Sequence, residues 1–148
     1  MGKAKCDIED LSIMTGLTTR TLRSYLKKGI LGGEKEKGKW YFSKEDIQDF
    51  FASDYVMQGV KIKSQAIVGD FCREERKRSP SACLVYDSPG TEEELMKLCE
   101  TILEYVNGNS AENDLFSYYY DNKTKVGRFI LRGSAEFAKG CLTLLCAT

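Results

Sequence analysis

The 148-residue chain contains no histidine. That absence removes histidine-based acid–base catalysis and every histidine-containing zinc site. Net charge is also absent, because 22 basic residues balance 22 acidic ones. The balance excludes a chain coated in basic charge but leaves room for a local basic patch. No apolar stretch approaches the ~18 residues of a membrane span, and the N-terminal run lacks a signal peptide's apolar core. A soluble, cytoplasmic protein with no membrane partner is therefore expected. The six cysteines (Cys6, Cys72, Cys83, Cys99, Cys141, Cys146) include no C-x-x-C, so buried reduced thiols are the plain reading. No nucleophile elbow, P-loop, dinucleotide fingerprint or metal-ligand cluster is present. The acidic pair Asp114 and Asp121 has no motif around it. The expectation is no enzyme, no catalytic residue, no cofactor and no metal.

What is present is enough apolar side chain to build a core. Hydrophobic residues make up 42% of the chain and aromatics 11%, which argues against disorder. The length suits one ordinary domain or two small ones. Charge is segregated along the sequence. Residues 18–44 hold eight basic and two acidic residues, an excess of +6. Residues 91–104 hold five glutamates against Lys97, an excess of −4.

The basic segment has the order of a helix-turn-helix. Ile8, Leu11 and Met14 give a first short helix an inward stripe, with Asp7 or Glu9 at its N-terminus. Gly16 closes it and allows a tight turn. Thr18 caps a second helix whose apolar side is Leu22, Tyr25 and Leu26 and whose basic, hydroxylated side is Thr19, Arg20, Arg23 and Lys27. A helix fits the major groove of B-DNA, and arginine's planar fork can grip guanine or clamp a phosphate. Thr18, Thr19, Thr21 and Ser24 offer short hydroxyl donors. Gly29 ends this helix. The turn-rich Gly32–Gly38 and the aromatic Lys39–Phe42 then predict a small β-hairpin, or wing, with lysines at its tip that can reach phosphates. Ser43 and Asp46 cap a third helix with Ile47, Phe50 and Phe51 facing inward. Trp40 is read as a core residue.

The runs Thr15–Tyr25, Gly29–Leu31 and Gly38–Ile47 resemble the N-terminal head of MerR-type transcriptional regulators, and are similar to the shorter excisionase-like heads. The resemblance covers about a third of the chain and implies duplex DNA binding. Arg20, Arg23 and Tyr25 coincide with family positions that face DNA, and Gly38 with the wing glycine. Ser24 stands where the family usually has a second tyrosine, and Trp40 where it has a wing arginine, so Lys37 or Lys39 takes the wing's phosphate contact. The expected DNA-binding set is Thr18, Thr19, Arg20, Arg23, Ser24, Tyr25, Lys27, Lys37 and Lys39. The family's long dimerising helix is not evident after the head: residues 54–65 contain Gly59 and no persistent heptad.

The rest reads as a pattern that occurs twice. Ala66–Cys72 and Ala82–Asp87 read as strands, followed by a helix from a Thr91/Glu94 capping box to Val106. Leu115–Tyr120 and Lys125–Arg132 read as strands around an Asp121–Thr124 turn, followed by a helix from Gly133-Ser134 to Cys146. Leu95, Leu98, Ile102 and Val106, with Phe137, Cys141, Leu144 and Leu145, would cover one face of a four-stranded antiparallel sheet. The expected fold class is α+β: a winged helix-turn-helix followed by a smaller ββα-ββα antiparallel-sheet domain. The expected boundaries are a head over 1–57, a linker over 58–65 and a dimerisation or effector-sensing domain over 66–148. The uncovered sheet face would carry Phe116, Tyr118, Tyr120, Arg128 and Arg132 as a ligand or dimer face. The charged run Arg73–Arg78 reads as a solvated loop, with an accessory DNA contact as the sharper alternative.

Two functions follow. The first is a transcriptional regulator that binds double-stranded DNA as a homodimer, with a small-molecule effector as a further partner. The second is a ligand-sensing or protein-docking adaptor whose C-terminal sheet domain is the working part.

Overall fold

The computed structural model describes residues 6–109, 111 and 114–147. The expected lead-in over Met1–Cys6 lies outside them apart from Cys6. The N-terminal segment folds as β1 (Cys6–Asp7), α1 (Ile8–Thr15), α2 (Thr19–Lys27), β2 (Glu34–Glu36), β3 (Lys39–Phe42) and α3 (Lys44–Ala52). Each boundary has a local cause. Asp7 caps α1 and exchanges bonds with Asp10 across the first turn. Gly16 ends α1 at φ 78°, a backbone that costs an L side chain strain. Thr18 caps α2 through the Thr21 amide at 3.1 Å. Ser43 and Asp46 form the reciprocal cap of α3. The β2–β3 hairpin turns through Lys37 and Gly38, both at positive φ. That is the twist two-residue hairpins prefer. The two-residue β1 pairs with β3, so the small sheet runs β1-β3-β2 and ties the hairpin to the start of α1.

The next element corrects the sequence reading. Residues Asp54–Arg73 form one 20-residue helix, α4, where a linker and then a strand were expected. The residues expected as a linker, 58–65, are helical throughout, and Ala66–Cys72 is not a strand. Val56, Val60, Ser64, Ile67 and Phe71 recur every three or four residues and turn inward, a helical stripe interrupted by one serine. A long helix therefore does follow the head.

After α4 come β4 (Ser81–Pro89), α5 (Glu92–Asn109), β5 (Leu115–Asp121), β6 (Val126–Ser134) and α6 (Ala135–Leu145). The fold is mixed helix and sheet. The second sheet has three antiparallel strands in the order β4-β6-β5, not four strands in two ββα repeats. The Thr91/Glu94 cap forms, with Thr91 Oγ1 accepting from the Glu94 amide at 3.1 Å.

Helices α5 and α6 cover one face of this sheet with Leu95, Ile102, Val106, Phe137, Cys141 and Leu145, all buried. The opposite face is not free. Helix α4 lies over β5 and β6, and α1 packs on β5. Ser64 of α4 meets Ser117 of β5 at 2.7 Å, and the Ser117 hydroxyl donates to the Thr15 carbonyl at 3.4 Å. On the α5/α6 side, Phe51 of α3 meets Tyr118 edge-on at 5.6 Å between ring centres. One contiguous core thus runs from Ile8 through α4 to Leu145. No helix of the described residues is long and apolar enough to cross a membrane.

Candidate nucleic-acid interface

Helix α2 has its apolar side against the core and leaves one ridge outside. Leu22 and Tyr25 are buried, while Arg20, Arg23 and Lys27 are exposed at i, i+3 and i+7. That spacing stacks the three cations along one face. The hairpin carries Lys35, Lys37 and Lys39, all exposed. Between α2 and the hairpin lies a cleft of about 620 Å³, walled by Arg23, Leu26, Lys27, Lys35, Lys39 and Trp40 and floored by Asp7, Ile8 and Glu9. Arg20, Arg23, Lys27, Lys37 and Lys39 form no ion pair among the described residues. A cation without an internal partner keeps its full charge for an external anion.

The hydroxyls are more committed. Thr18 accepts from the Thr21 amide and its own hydroxyl donates to Thr21 Oγ1 at 3.0 Å. Thr19 and Ser24 are half-buried. Tyr25 departs from the expected outward position. It is 8% exposed, with its ring 5.9 Å from both Phe50 and Tyr55. Burial, with Tyr55 beside it, raises its pKa. Tyr25 therefore joins α2 to α3 and α4 rather than standing on the ridge.

Trp40 is also not the core residue expected. It is half-buried, touching the core with one part while lining the cleft with another, and Lys35 Nζ sits 5.7 Å from its ring centre. Lys35 faces it across the β2–β3 ladder. The cleft wall formed by Lys35 and Trp40 was not foreseen as a pair. Its signal was the hairpin register, which puts the fourth residue of a seven-residue turn segment opposite an aromatic.

The second expected site dissolves. Phe116, Tyr118 and Tyr120 are all buried, facing α5 and α6. The Tyr120 hydroxyl donates to the Gly90 carbonyl at 2.8 Å. Arg128 and Arg132 lie on the other face. Arg128 makes two bonds to Asp87, at 2.7 and 2.8 Å, which hold the Asp87 carboxyl below its ordinary pKa. Arg132 pairs with Glu74 at 3.2 Å. The aromatic row and the arginines share no surface, because strand alternation puts them on opposite faces. Two arrangements undo the expected surface: its aromatic row lies under α5 and α6, and α4 lies over the sheet as a second helical layer where a fourth strand was expected.

Three of the thiols are held in the protonated form. Burial is the main cause that pushes Cys6 and Cys141 up to about 12, and Cys99 also upward. A protonated thiol is neither nucleophile nor metal ligand. No cluster of three or more cysteine, aspartate or glutamate residues that could hold a metal occurs among the described residues.

Two helices across a glycine turn, the second carrying an unpaired basic ridge, define a helix-turn-helix segment. Residues 6–52, about a third of the chain, match the family model described as MerR HTH family regulatory protein. The match agrees with the resemblance read from the sequence and suggests a DNA-binding transcription regulator. No curated protein and no solved structure matches the chain.

Proposed function

We propose that this protein is a transcriptional regulator that binds duplex DNA through a winged helix-turn-helix and works as a dimer. The observation that carries the reading is the row Arg20, Arg23 and Lys27, exposed and without an ion pair on α2, of which Arg23 and Lys27 share a cleft with Lys35 and Lys39 of the hairpin. In this reading α2 enters the major groove. Arg20 and Arg23 meet base edges or phosphates first, because they lie in the N-terminal half of the helix. Thr19 and Ser24 supply hydroxyl contacts beside them, and Thr18 holds the helix end in place. The hairpin is the wing, and Lys37 and Lys39 take adjacent phosphates in place of a wing arginine. Head residues 6–52 make the contacts, and α4 with the β4-β6-β5 sheet forms the buttress that fixes their angle.

The dimer reading is supported by α4. Its solvent side exposes Tyr55 (56%) and Ile62 (66%), seven residues apart, with Ala66 exposed one turn on. Two large apolar side chains at heptad spacing suit a second helix. A dimer would place two copies of α2 about one helical turn apart on a near-palindromic site. Selection from a random duplex pool tests this. The expected product is a repeated half-site about 10 base pairs apart, centre to centre. A pool with no enriched sequence would refute sequence-specific regulation, and a single unrepeated site would refute the dimer.

A further inference from the structure

A second cavity, about 630 Å³, opens at the C-terminal end of α4. Its walls are the end of α4, the loop that follows, and the junction of β6 with α6. Four cations line it (Arg76, Lys77, Arg78, Arg132) against two carboxylates, Glu74 and Asp114, so the lining carries a net +2. These groups are not equivalent. Lys77 Nζ is fixed by the carbonyls of Phe71 at 2.9 Å and Glu74 at 3.0 Å, and sits 4.3 Å from the Phe71 ring centre. The half-buried Arg132 donates to Glu74 Oε1 at 3.2 Å, and Lys77 approaches the same oxygen at 3.8 Å. Asp114 is already committed, accepting from the Ser134 amide at 3.3 Å and the Ala111 amide at 2.7 Å. Arg76 and Arg78 form no hydrogen bond or ion pair among the described residues.

The arrangement is an oxyanion seat with an internal occupant. Glu74 Oε1 sits between an arginine and a lysine, on an exposed residue just beyond the helix, while two free guanidiniums stand on the rim. We propose that this cavity binds a small phosphate-bearing molecule, whose phosphate displaces the Glu74 carboxylate from Arg132 and Lys77 and is then closed on by Arg76 and Arg78. A guanidinium fork matches phosphate geometry, and a multiply charged anion answers four cations better than one carboxylate does. The volume lies within the usual range for small-ligand sites, roughly 300–1,000 Å³. The N-terminal amides of α6 add little, because those of Ala135 and Phe137 already bond to Pro80 and Ser134. A duplex backbone is the poorer fit: it would follow a convex ridge like that of α2, and here it would meet Glu74 and Asp114.

The site is independent of the DNA reading, and so is its test. The full chain would be titrated with inorganic pyrophosphate by calorimetry, in low-salt buffer without divalent cations. Saturable one-to-one binding is expected. Affinity should fall about tenfold or more in the doubly substituted Arg76→Ala/Arg78→Ala protein, whose exposed side chains leave the fold intact by circular dichroism. Glu74→Gln should tighten binding by removing the competing charge, and Arg20→Ala should leave it unchanged. No saturable binding to the wild-type chain, or equal affinity in the doubly substituted protein, would overturn the proposal. So would a Glu74→Gln protein that binds no more tightly, or an Arg20→Ala protein that loses the ligand. Weakened duplex binding by the doubly substituted protein, with no pyrophosphate binding by the wild type, would make the loop a DNA contact instead.

Discussion

Ser117→Ala should destabilise the chain more than Ser64→Ala, although the two hydroxyls share one bond. Each serine has a single proton. Ser117 donates its proton to the Thr15 carbonyl, so Ser64 is left to donate to Ser117. Ser64→Ala removes one buried hydrogen bond, about 1 kcal/mol, offset in part by alanine's better helix propensity. Ser117→Ala removes two bonds and strands both the Ser64 hydroxyl and the C-terminal carbonyl of α1, about 2–3 kcal/mol. The double substitution should cost little more than Ser117→Ala alone, a coupling of about 1 kcal/mol. For a chain of this size Ser117→Ala should lower Tm by about 5–10 °C. Urea unfolding would be followed by fluorescence of Trp40 in the head and by far-UV circular dichroism of the whole chain. The two transitions should coincide, because the head and the sheet share one core. Strict additivity, or a Ser64→Ala cost equal to that of Ser117→Ala, would refute the packing of α4 and α1 on β5.

Other consequences can be checked separately. Arg20→Ala and Arg23→Ala should each weaken specific duplex binding by about 1–3 kcal/mol, read by anisotropy, with the fold unchanged. On the proposed dimer, Ile62→Glu should abolish association in sedimentation while the far-UV circular dichroism stays unchanged, because the side chain is largely exposed on the single chain. Gly127→Ala should cost about 1–3 kcal/mol in urea unfolding, since a Cβ there would stand 2.8 Å from Leu95 Cδ1. The Asp87–Arg128 pair should stabilise the fold above the carboxyl's ordinary pKa of 3.8 and lose that effect as pH falls through the lowered folded value. Tm measured downward from pH 5 should therefore fall less steeply in Asp87→Asn.

The head was legible because its signals are local. Thr18, Ser43 and Gly16 sit at the ends they were expected to mark, and Leu22 with Leu11 and Met14 turned inward as their spacing required. The same holds for β5, β6, α5 and α6, whose caps and alternation agree with their neighbours. Helix α4 was misread because Ile67-Val68 are β-branched and Ser64 interrupts its apolar stripe. That serine is buried only because Ser117, 53 residues away, supplies its partner. The misreading then propagated. Without α4 the second sheet face looked free, and Phe116, Tyr118 and Tyr120 were assigned to it with Arg128 and Arg132, although alternation along β5 turns that aromatic row under α5 and α6. Tyr25 and Trp40 were misplaced for a related reason: the same aromatic can serve as a ridge residue or as packing, and only Phe50, Tyr55 and the hairpin register decide between them.

The central claim is that the ridge on α2 and the lysines of the hairpin bind duplex DNA. Fluorescence anisotropy of a random-sequence duplex, titrated with the full chain at several salt concentrations, tests it most directly. Several phosphate contacts should cost about two or more decades of affinity between about 50 and 200 mM salt. Arg20→Ala and Arg23→Ala should each make that salt dependence shallower. No binding at the lowest salt, or binding indifferent to salt and to both substitutions, would contradict the account.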